Sequence, residues 1–415
     1  MTLPRLTESP LVRSAGSAYF PIAFIARLPF AMMVVGLLTL VVAERDSVAL
    51  GGLNAAVAGI GTALAGPLLG AAVDRLGQRR VLVPLGLLNA VLLGAFVLVV
   101  GSSAPDLAVL ALSVLIGASA PQVAPLSRTR LVAIITRHVA PNRREKLLTG
   151  TMAYESAADE MVFIVGPFLV GILASAIAPW VAIAGAAVLT AVFVTAFALH
   201  PTGRLQLRTD GQHTAQAPAR ELLRAPLMTV VAGTLGVGIF FGATLTSLTG
   251  FLAATGDGDR AGLLYGVMGI GSAALALGSA ALPQRFTARA RWLVFGSLLL
   301  AAAIGYATAR SEAGLVIALA VLGLGIGPTL VALYSLAAAL SPAGRSATTM
   351  TLLGSAVVVG QAVASAVTGA VVDRFGAETA LALPALAAAL VVAAGLAHRA
   401  KAEQPAEPER ELVDA

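Results

Sequence analysis

The stretch "GGLNAAVAGIGTALAGPLLGAAVDR", residues 51–75, recurs in outline 210 positions later as "AGLLYGVMGIGSAALALGSAALPQR", residues 261–285. A second pair of similar stretches is "APNRR" (140–144) and "SPAGR" (341–345). Ala/Gly-rich helices can resemble one another by composition alone, but here arginines and prolines are repeated too. The repeat therefore predicts a chain built from two related halves. The positions of the first copy that are identical in the second include Gly52, Leu53, Val57, Gly59, Ile60, Gly61, Ala63 and Arg75.

The whole sequence is too apolar for a soluble protein. Of its 415 residues, 58% are hydrophobic and only 12% are charged, and the mean hydropathy is +0.90. Soluble domains carry about 25% charged residues. We therefore predict an all-α integral membrane protein with twelve transmembrane helices in two pseudo-symmetric six-helix bundles. The apolar runs lie at 18–42, 50–73, 81–101, 107–127, 147–175, 179–199, 227–253, 261–283, 292–309, 313–340, 347–371 and 379–397.

The distribution of charge predicts the topology. Of the 27 Lys and Arg residues, 22 lie in loops on the side of the N-terminus, 4 lie on the other side, and Arg27 lies inside the first span. By the positive-inside rule both termini are cytoplasmic, in a multi-pass protein of the cell membrane. The predicted parts are a cytoplasmic N-terminus (1–17), two helix bundles (18–200 and 226–398), a cytoplasmic linker between them (201–225) and a disordered acidic tail (399–415).

Several kinds of chemistry are not supported by the sequence. It contains no cysteine and only four histidines, so neither disulfides nor a metal site is predicted. The basic residues lie in short loops between apolar runs, which is typical of membrane topology rather than of nucleic-acid binding. No Walker loop or Ser/His/Asp grouping indicates catalysis, and no cofactor is expected. A non-transporting receptor or a membrane-embedded enzyme is the alternative class of function.

The loop after the second span reads "GAAVDRLGQRRVL", residues 70–82. It resembles the signature of the major facilitator superfamily, in which a Gly, an Asp-Arg pair, a second Gly and two basic residues connect the second and third helices. Independently of the family, Asp74 can accept hydrogen bonds from the N-terminus of a helix in the other half and so act as a latch. A soluble turn with topogenic charge is the alternative. The resemblance implies a close-packing role for Gly70, a charged pair at Asp74 and Arg75, a turn at Gly77 and a basic end at Arg79 and Arg80.

The fifth span also resembles part of this superfamily. In the antiporters of the superfamily this helix carries a glycine motif that ends in Gly-Pro, and Gly166, Pro167 and Gly171 match its end. Ala153 and Val162 stand where that motif has glycines. The segments "FxxRLPxxM" and "ESxxDExxFIVGP" are similar to actinobacterial members rich in Ala and Arg. The resemblance favours the drug/proton antiporter branch, although Ser113 stands where an arginine is common in the fourth helix.

Three carboxylates precede that Gly-Pro in "YESAADEMVFIVGP", residues 154–167. Glu155 and Asp159 are four residues apart and share a helix face, and Glu160 begins the adjacent stripe, which predicts one polar patch. Three unpaired acids near the bilayer centre could cost up to about 10 kcal/mol, so they must face the protein interior. The superfamily places helices one and five side by side, which implies an ion pair of Arg27 with Glu155 and Asp159.

The predicted patch has more acids than bases. With three carboxylates against one guanidinium, we expect at least one acid to carry a proton near neutral pH. Asp159 is the expected coupling site, and Glu155 is the expected relay towards the cytoplasm. The alternative is a salt-bridge cluster that only fixes the packing of the helices.

The resemblance implies a secondary active transporter that works by alternating access. Efflux of a small amphipathic or apolar compound, driven by the proton gradient, is favoured over uptake of a small metabolite or sugar. The expected partners are lipid, protons and the small-molecule substrate, and a monomer is expected. Gln122, Thr246, Tyr334 and Gln361 are candidates for lining the central cavity, with simple helix packing as the alternative for each.

Overall fold

The computed structural model describes residues 10–45, 47–204, 216–254, 261–283, 285–309 and 311–398. Within these ranges all regular structure is helical, and twelve helices are long and apolar enough to cross a membrane. The predicted fold class is thereby confirmed. Three predicted regions lie outside the described residues, namely the first nine residues, the centre of the linker (205–215) and the tail (399–415).

The membrane helices are labelled α1–α12 in chain order, and a short helix, Pro10–Ala15, precedes them. Four of the twelve consist of consecutive segments. The bounds are α1, Tyr19–Ile25 and Leu28–Arg45; α2, Val48–Leu76; α3, Gln78–Val100; α4, Asp106–Ser119 and Val123–His138; α5, Pro141–Ala176; α6, Pro179–Leu189, Thr190–Val194 and Thr195–Leu199; α7, Ala225–Ala253; α8, Ala261–Gly278; α9, Ala288–Thr308; α10, Glu312–Leu340; α11, Ser346–Phe375; α12, Ala377–Ala380 and Leu383–Ala397.

The fourth helix departs from the prediction. Hydropathy ended this span at residue 127, but after a break at Ala120–Gln122 the helix continues from Val123 to His138. Pro121 accounts for the break, because proline has no N–H to donate within a helix. Arg128 and Arg130, which were counted among the loop charges, are buried inside the second segment of α4.

The two halves repeat the same close contact between corresponding helices. A Cβ at Gly117 of α4 would overlap the backbone of Ala58 of α2. At Gly327 of α10, 210 positions later, a Cβ would overlap the backbone of Ser272 of α8. Only glycine permits such an approach of two helix backbones, which is a common way to pack membrane helices. The sequence repeat is thus also a repeat of helix packing within each bundle.

The most extensive contacts between the bundles are those of α2 with α11 and of α5 with α8. We call the face on which α1 begins and α12 ends the terminal face. Near this face, Gly70 packs directly against Thr351 and Gly66 against Ser355, both of α11. Towards the opposite face, a Cβ at Gly52 of α2 would meet no atom of the described residues within 4 Å. The α2–α11 contact is therefore tight at the terminal face and loosens towards the other.

Candidate functional site

The structure brings Arg27 together with Glu155 and Asp159. Arg27 lies at the break between the two segments of α1, and its Nη2 is 2.6 Å from Glu155 Oε2. Its Nη1 is 3.2 Å from Asp159 Oδ1. Because the two acids are one helical turn apart on α5, a single guanidinium reaches both. The side chains of Arg27 and Glu155 are buried, whereas that of Asp159 is 21% exposed.

Arg128 completes this cluster, and sequence reasoning missed it. Its Nη2 lies 2.5 Å from Asp159 Oδ2, and its guanidinium stacks 3.8 Å from the ring centroid of Tyr334 on α10. The cluster therefore holds two guanidinium groups and two carboxylates, rather than the predicted three acids and one base. Arg128 stands one residue beyond the predicted end of span four. An arginine this close to the end of a span was the available signal that the helix continues and that this side chain is buried.

Hydroxyl groups extend the cluster towards the terminal face. Ser127 Oγ donates to Glu155 Oε1 at 3.0 Å, and Tyr19 Oη lies 2.7 Å from Ser127 Oγ. The Nε atoms of Arg27 and Arg128 are buried without a partner among the described residues. Removing one charge from such a cluster would leave another uncompensated, at a cost of about 3–5 kcal/mol. The cluster thus ties α1, α4 and α5 together and reaches the second bundle through Tyr334.

Glu160 does not belong to the cluster, so the prediction of a single polar patch is wrong. Consecutive residues of a helix are separated by about 100°, and Glu160 therefore points away from Arg27. It faces α8, where Ser272 Oγ donates to its Oε1 at 3.0 Å. In the part of the chain that the structure describes, no cation forms an ion pair with Glu160. This half-buried carboxyl group lies at the contact between the two bundles.

The side chain of Asp74, near the end of α2, contacts the N-terminus of α11, as expected of a latch. Its carboxylate accepts from the backbone N–H groups of Ala347 at 2.9 Å and Thr348 at 2.8 Å. The Thr348 hydroxyl donates a third hydrogen bond, of 2.6 Å. A carboxylate at this position satisfies N–H groups that have no partner within the helix and interacts favourably with the helix dipole. Asp74 thereby joins the two bundles at the terminal face.

The rest of the signature loop forms the turn and its basic surface. Gly77 ends α2 with φ of 88°, a conformation that favours glycine. Arg75 Nε donates to Gln216 Oε1 at 3.3 Å, so the motif contacts the end of the linker. Arg79 and Arg80 are exposed.

Arg130 anchors the same loop to the first bundle. Its Nη2 and Nε donate to Gln78 Oε1 at 2.6 and 3.0 Å. Its Nη1 donates to the carbonyl of Phe197, at the end of α6, at 2.9 Å. This buried arginine of α4 therefore connects α3 with α6 and does not lie in a loop.

The Gly-Pro end of α5 positions the cluster. A Cβ at Gly166 would come within 2.6 Å of the Cβ of Ala31, so α5 approaches α1 closely there. Pro167 lies inside α5, and a Cβ at Gly171 would meet no atom within 4 Å in the part of the chain that the structure describes. The close approach of α1 and α5 nearly two turns beyond Glu160 keeps Arg27 within reach of its acids.

The four candidates for the cavity lining have different surroundings. Tyr334 contacts the charged cluster through Arg128, as described above. Gln122 precedes the second segment of α4, and its amide donates a long bond of 3.5 Å to the Ala120 carbonyl. Thr246 on α7 and Gln361 on α11 are half-buried. Of the four, Tyr334 is the one that contacts the charged cluster.

Comparison with known proteins places these contacts in context. A family model described as Major Facilitator Superfamily matches residues 19–345 and 238–414. Comparison with curated proteins finds no match. Among the described residues no group of three or more His, Cys, Asp or Glu is placed to hold a metal ion.

Solved structures similar to the chain are transporters. The human organic anion transporter MFSD10 (TETRAN) has 19% identity and a TM-score of 0.69, with 94% of this chain and 100% of that chain covered. A bacterial homologue of the iron transporter ferroportin in the outward-facing state has 14% identity and a TM-score of 0.70, with 92% and 97% covered. The transporter FucP in the outward conformation has 14% identity and a TM-score of 0.62, with 92% and 100% covered. At these identities the likeness shows the fold.

Proposed function

The chain belongs to the major facilitator superfamily, and from that premise we propose that it exports a small amphipathic or apolar compound in exchange for protons. The family and the fold make it a membrane transporter rather than an enzyme. The exchange, its direction and the substrate are the proposal. It acts as a monomer in the cell membrane and uses the proton gradient as its only energy source.

The terminal face is cytoplasmic in this proposal. The 22 loop arginines and lysines counted on that side, against 4 on the other, support the orientation, even though Arg128 and Arg130 belong to α4. With this orientation, Asp74 closes the cytoplasmic side and the described state faces outward. Alternating access then requires α2 to part from α11, and α5 from α8, at the cytoplasmic face.

The observation that carries the proposed proton coupling is that Glu160 lies at the contact between the bundles and forms no ion pair among the described residues. Glu155 forms an ion pair with Arg27, and Asp159 forms ion pairs with both Arg27 and Arg128. Glu160 has no such cation among the described residues, so a sealed α5–α8 contact favours its neutral form and opening to water favours its charged form. Parting of α5 and α8 would release its proton to the cytoplasm as the substrate binds.

The proposed coupling site is therefore Glu160 and not the neighbouring Asp159, which the sequence favours. Asp159 remains the second candidate, because its side chain is partly exposed. The carboxyl group of Glu160 would also serve an importer of a small metabolite or sugar, in which protons and substrate travel in the same direction. The two directions differ in the sign of the pH gradient that drives accumulation.

A substrate panel on reconstituted protein tests the proposal. In proteoliposomes, pH gradients of either sign are imposed, and transport of each compound is measured. Glu160→Gln should abolish transport driven by the gradient while it preserves substrate binding and downhill exchange. Asp159→Asn is the matched comparison at the neighbouring residue.

Three results would count against the proposal. If Glu160→Gln keeps full gradient-driven transport and Asp159→Asn loses it with binding intact, Asp159 is the coupling site. If neither variant, nor Glu155→Gln, alters the response to pH, the carboxylates are structural and protons do not drive transport. Accumulation under the opposite gradient would show import.

A further inference from the structure

A cavity of about 290 Å³ lies at the terminal face between the two bundles. One wall is the beginning of α5, with Glu145, Lys146 and Thr149, and the other is the turn from α8 to α9, residues 280–283, with Arg291. The first wall belongs to one bundle and the second wall to the other. Neither the charged cluster nor Asp74 contributes to this cavity.

Arg291 gives the cavity a cation whose hydrogen bonds are incomplete. It is 6% exposed, and its Nη2 donates bonds of 3.4 and 3.1 Å to the carbonyls of Leu282 and Pro283. Its Nε is buried without a partner among the described residues. Guanidinium groups make shorter and stronger bonds to anionic oxygens, and they match the geometry of phosphate well.

The charges around the cavity favour an anion. Lys146 and Arg291 outnumber Glu145, which leaves one net positive charge at the site. Arg143, next to one wall, and Arg285, next to the other, add to the positive potential. A phosphodiester carries a single negative charge and accepts several hydrogen bonds, so it complements these donors.

The surroundings of the cavity indicate a lipid as the source of that phosphate. Leu277 of α8 is 51% exposed and Val294 of α9 is 54% exposed, which is expected of side chains that contact acyl chains. The cavity lies at the ends of membrane helices, the level at which headgroups are found. Its volume is at the lower end of the roughly 300–1,000 Å³ of ligand pockets, which suits a headgroup rather than a whole lipid.

We infer that this cavity binds the phosphate group of an anionic phospholipid, and that the bound headgroup holds α5 against α8 and α9 at the terminal face. The bound lipid stabilises the state in which the bundles are closed on this side. This inference concerns regulation of the transporter and does not depend on which ion drives transport.

The first experiment measures binding to the purified full-length chain. Native mass spectrometry is used to titrate phosphatidylglycerol, with phosphatidylcholine and inorganic phosphate as separate arms. Phosphatidylglycerol should be retained preferentially, and Arg291→Gln or Lys146→Gln should weaken its binding about tenfold. Arg220→Gln, at an exposed basic residue outside the cavity, should leave it unchanged. Because Arg291 is buried and its replacement can impair folding, the exposed Lys146 provides an independent result.

The second experiment measures closure of the bundles. The chain has no cysteine, so spin labels can be attached at Thr136→Cys on α4 and Ala288→Cys on α9 and their separation measured in nanodiscs. Short distances between the two labels report the closed state. Phosphatidylglycerol should raise the fraction of molecules with short distances at least threefold over phosphatidylcholine, and Lys146→Gln should remove most of that increase. Equal binding of both lipids, an equal loss with Arg220→Gln, or the same effect from inorganic phosphate alone would overturn the inference.

Discussion

Replacing Asp74 with asparagine should open the terminal face without unfolding the protein. The carboxylate accepts three hydrogen bonds, two of them from backbone N–H groups at the start of α11. Asparagine keeps one acceptor oxygen, but its NH₂ group is a donor and cannot accept from the second N–H. At least one bond to a charged acceptor is lost, together with the favourable interaction of that charge with the helix N-terminus.

The expected loss is about 2–4 kcal/mol, since a bond to a charged group contributes roughly 1.5–3 kcal/mol and the interaction with the helix dipole about 0.3–1 kcal/mol. This loss applies to the closed state alone, because the contact crosses between bundles. The ratio of closed to open molecules should therefore fall about 30- to 800-fold. Transport should slow, because the cycle passes through the closed state, while membrane insertion is retained.

Cysteine labelling measures this ratio, because the native chain contains no cysteine. Ser355→Cys, whose side chain is buried against Gly66 of α2 at the closed interface, is labelled with a polar maleimide in nanodiscs. The labelling rate should rise by at least tenfold in Asp74→Asn. Asp373→Asn is the matched control, since it makes the same change in the exposed "DRFG" at the end of α11. An unchanged rate in Asp74→Asn, or an equal rise in Asp373→Asn, would refute the latch.

Three further changes test the packing of the first bundle and its contact with the second. Arg27→Ala should destabilise the protein by about 3–5 kcal/mol in thermal or denaturant unfolding, and adding Glu155→Gln should restore part of that loss; a double variant no more stable than Arg27→Ala would contradict the pair. Arg128→Met should lower the melting temperature because the charge of Asp159 loses its closest partner, and an unchanged melting temperature would argue against the cluster. Gly70→Leu should impair closure in the labelling assay because α11 leaves no room for the side chain, whereas Gly171→Leu should be tolerated; equal effects would contradict the packing.

The sequence predicted those contacts that depend on repetition and motif. The repeat anticipated corresponding packing in the two halves, which Gly117 and Gly327 display, and the signature loop anticipated the position of Asp74 at a helix N-terminus. These contacts join separate helices, and they were predicted because the repeat and the motif identify their residues in the sequence.

Contacts that neither the repeat nor the motif identifies were predicted less well. Arg128 was missed because hydropathy ends a span at the first polar run, although a helix continues wherever its polar face is buried against other helices. Glu160 was grouped with Asp159 because the two are neighbours in sequence, although 100° of rotation directs them to different helices. Which helix receives each side chain depends on bundle packing, and the sequence does not state it.

The hydrogen bonds of Asp74 also constrain biosynthesis. Their partners lie 273 and 274 residues further along the chain. At synthesis rates of about 5–20 residues per second, Asp74 exists for roughly 14–55 seconds before α11 is made. During that interval the first six helices must hold together through their own contacts, such as that of Gly117 with α2. The ribosome therefore completes the two bundles in sequence, and their joining at Asp74 comes among the last steps of assembly.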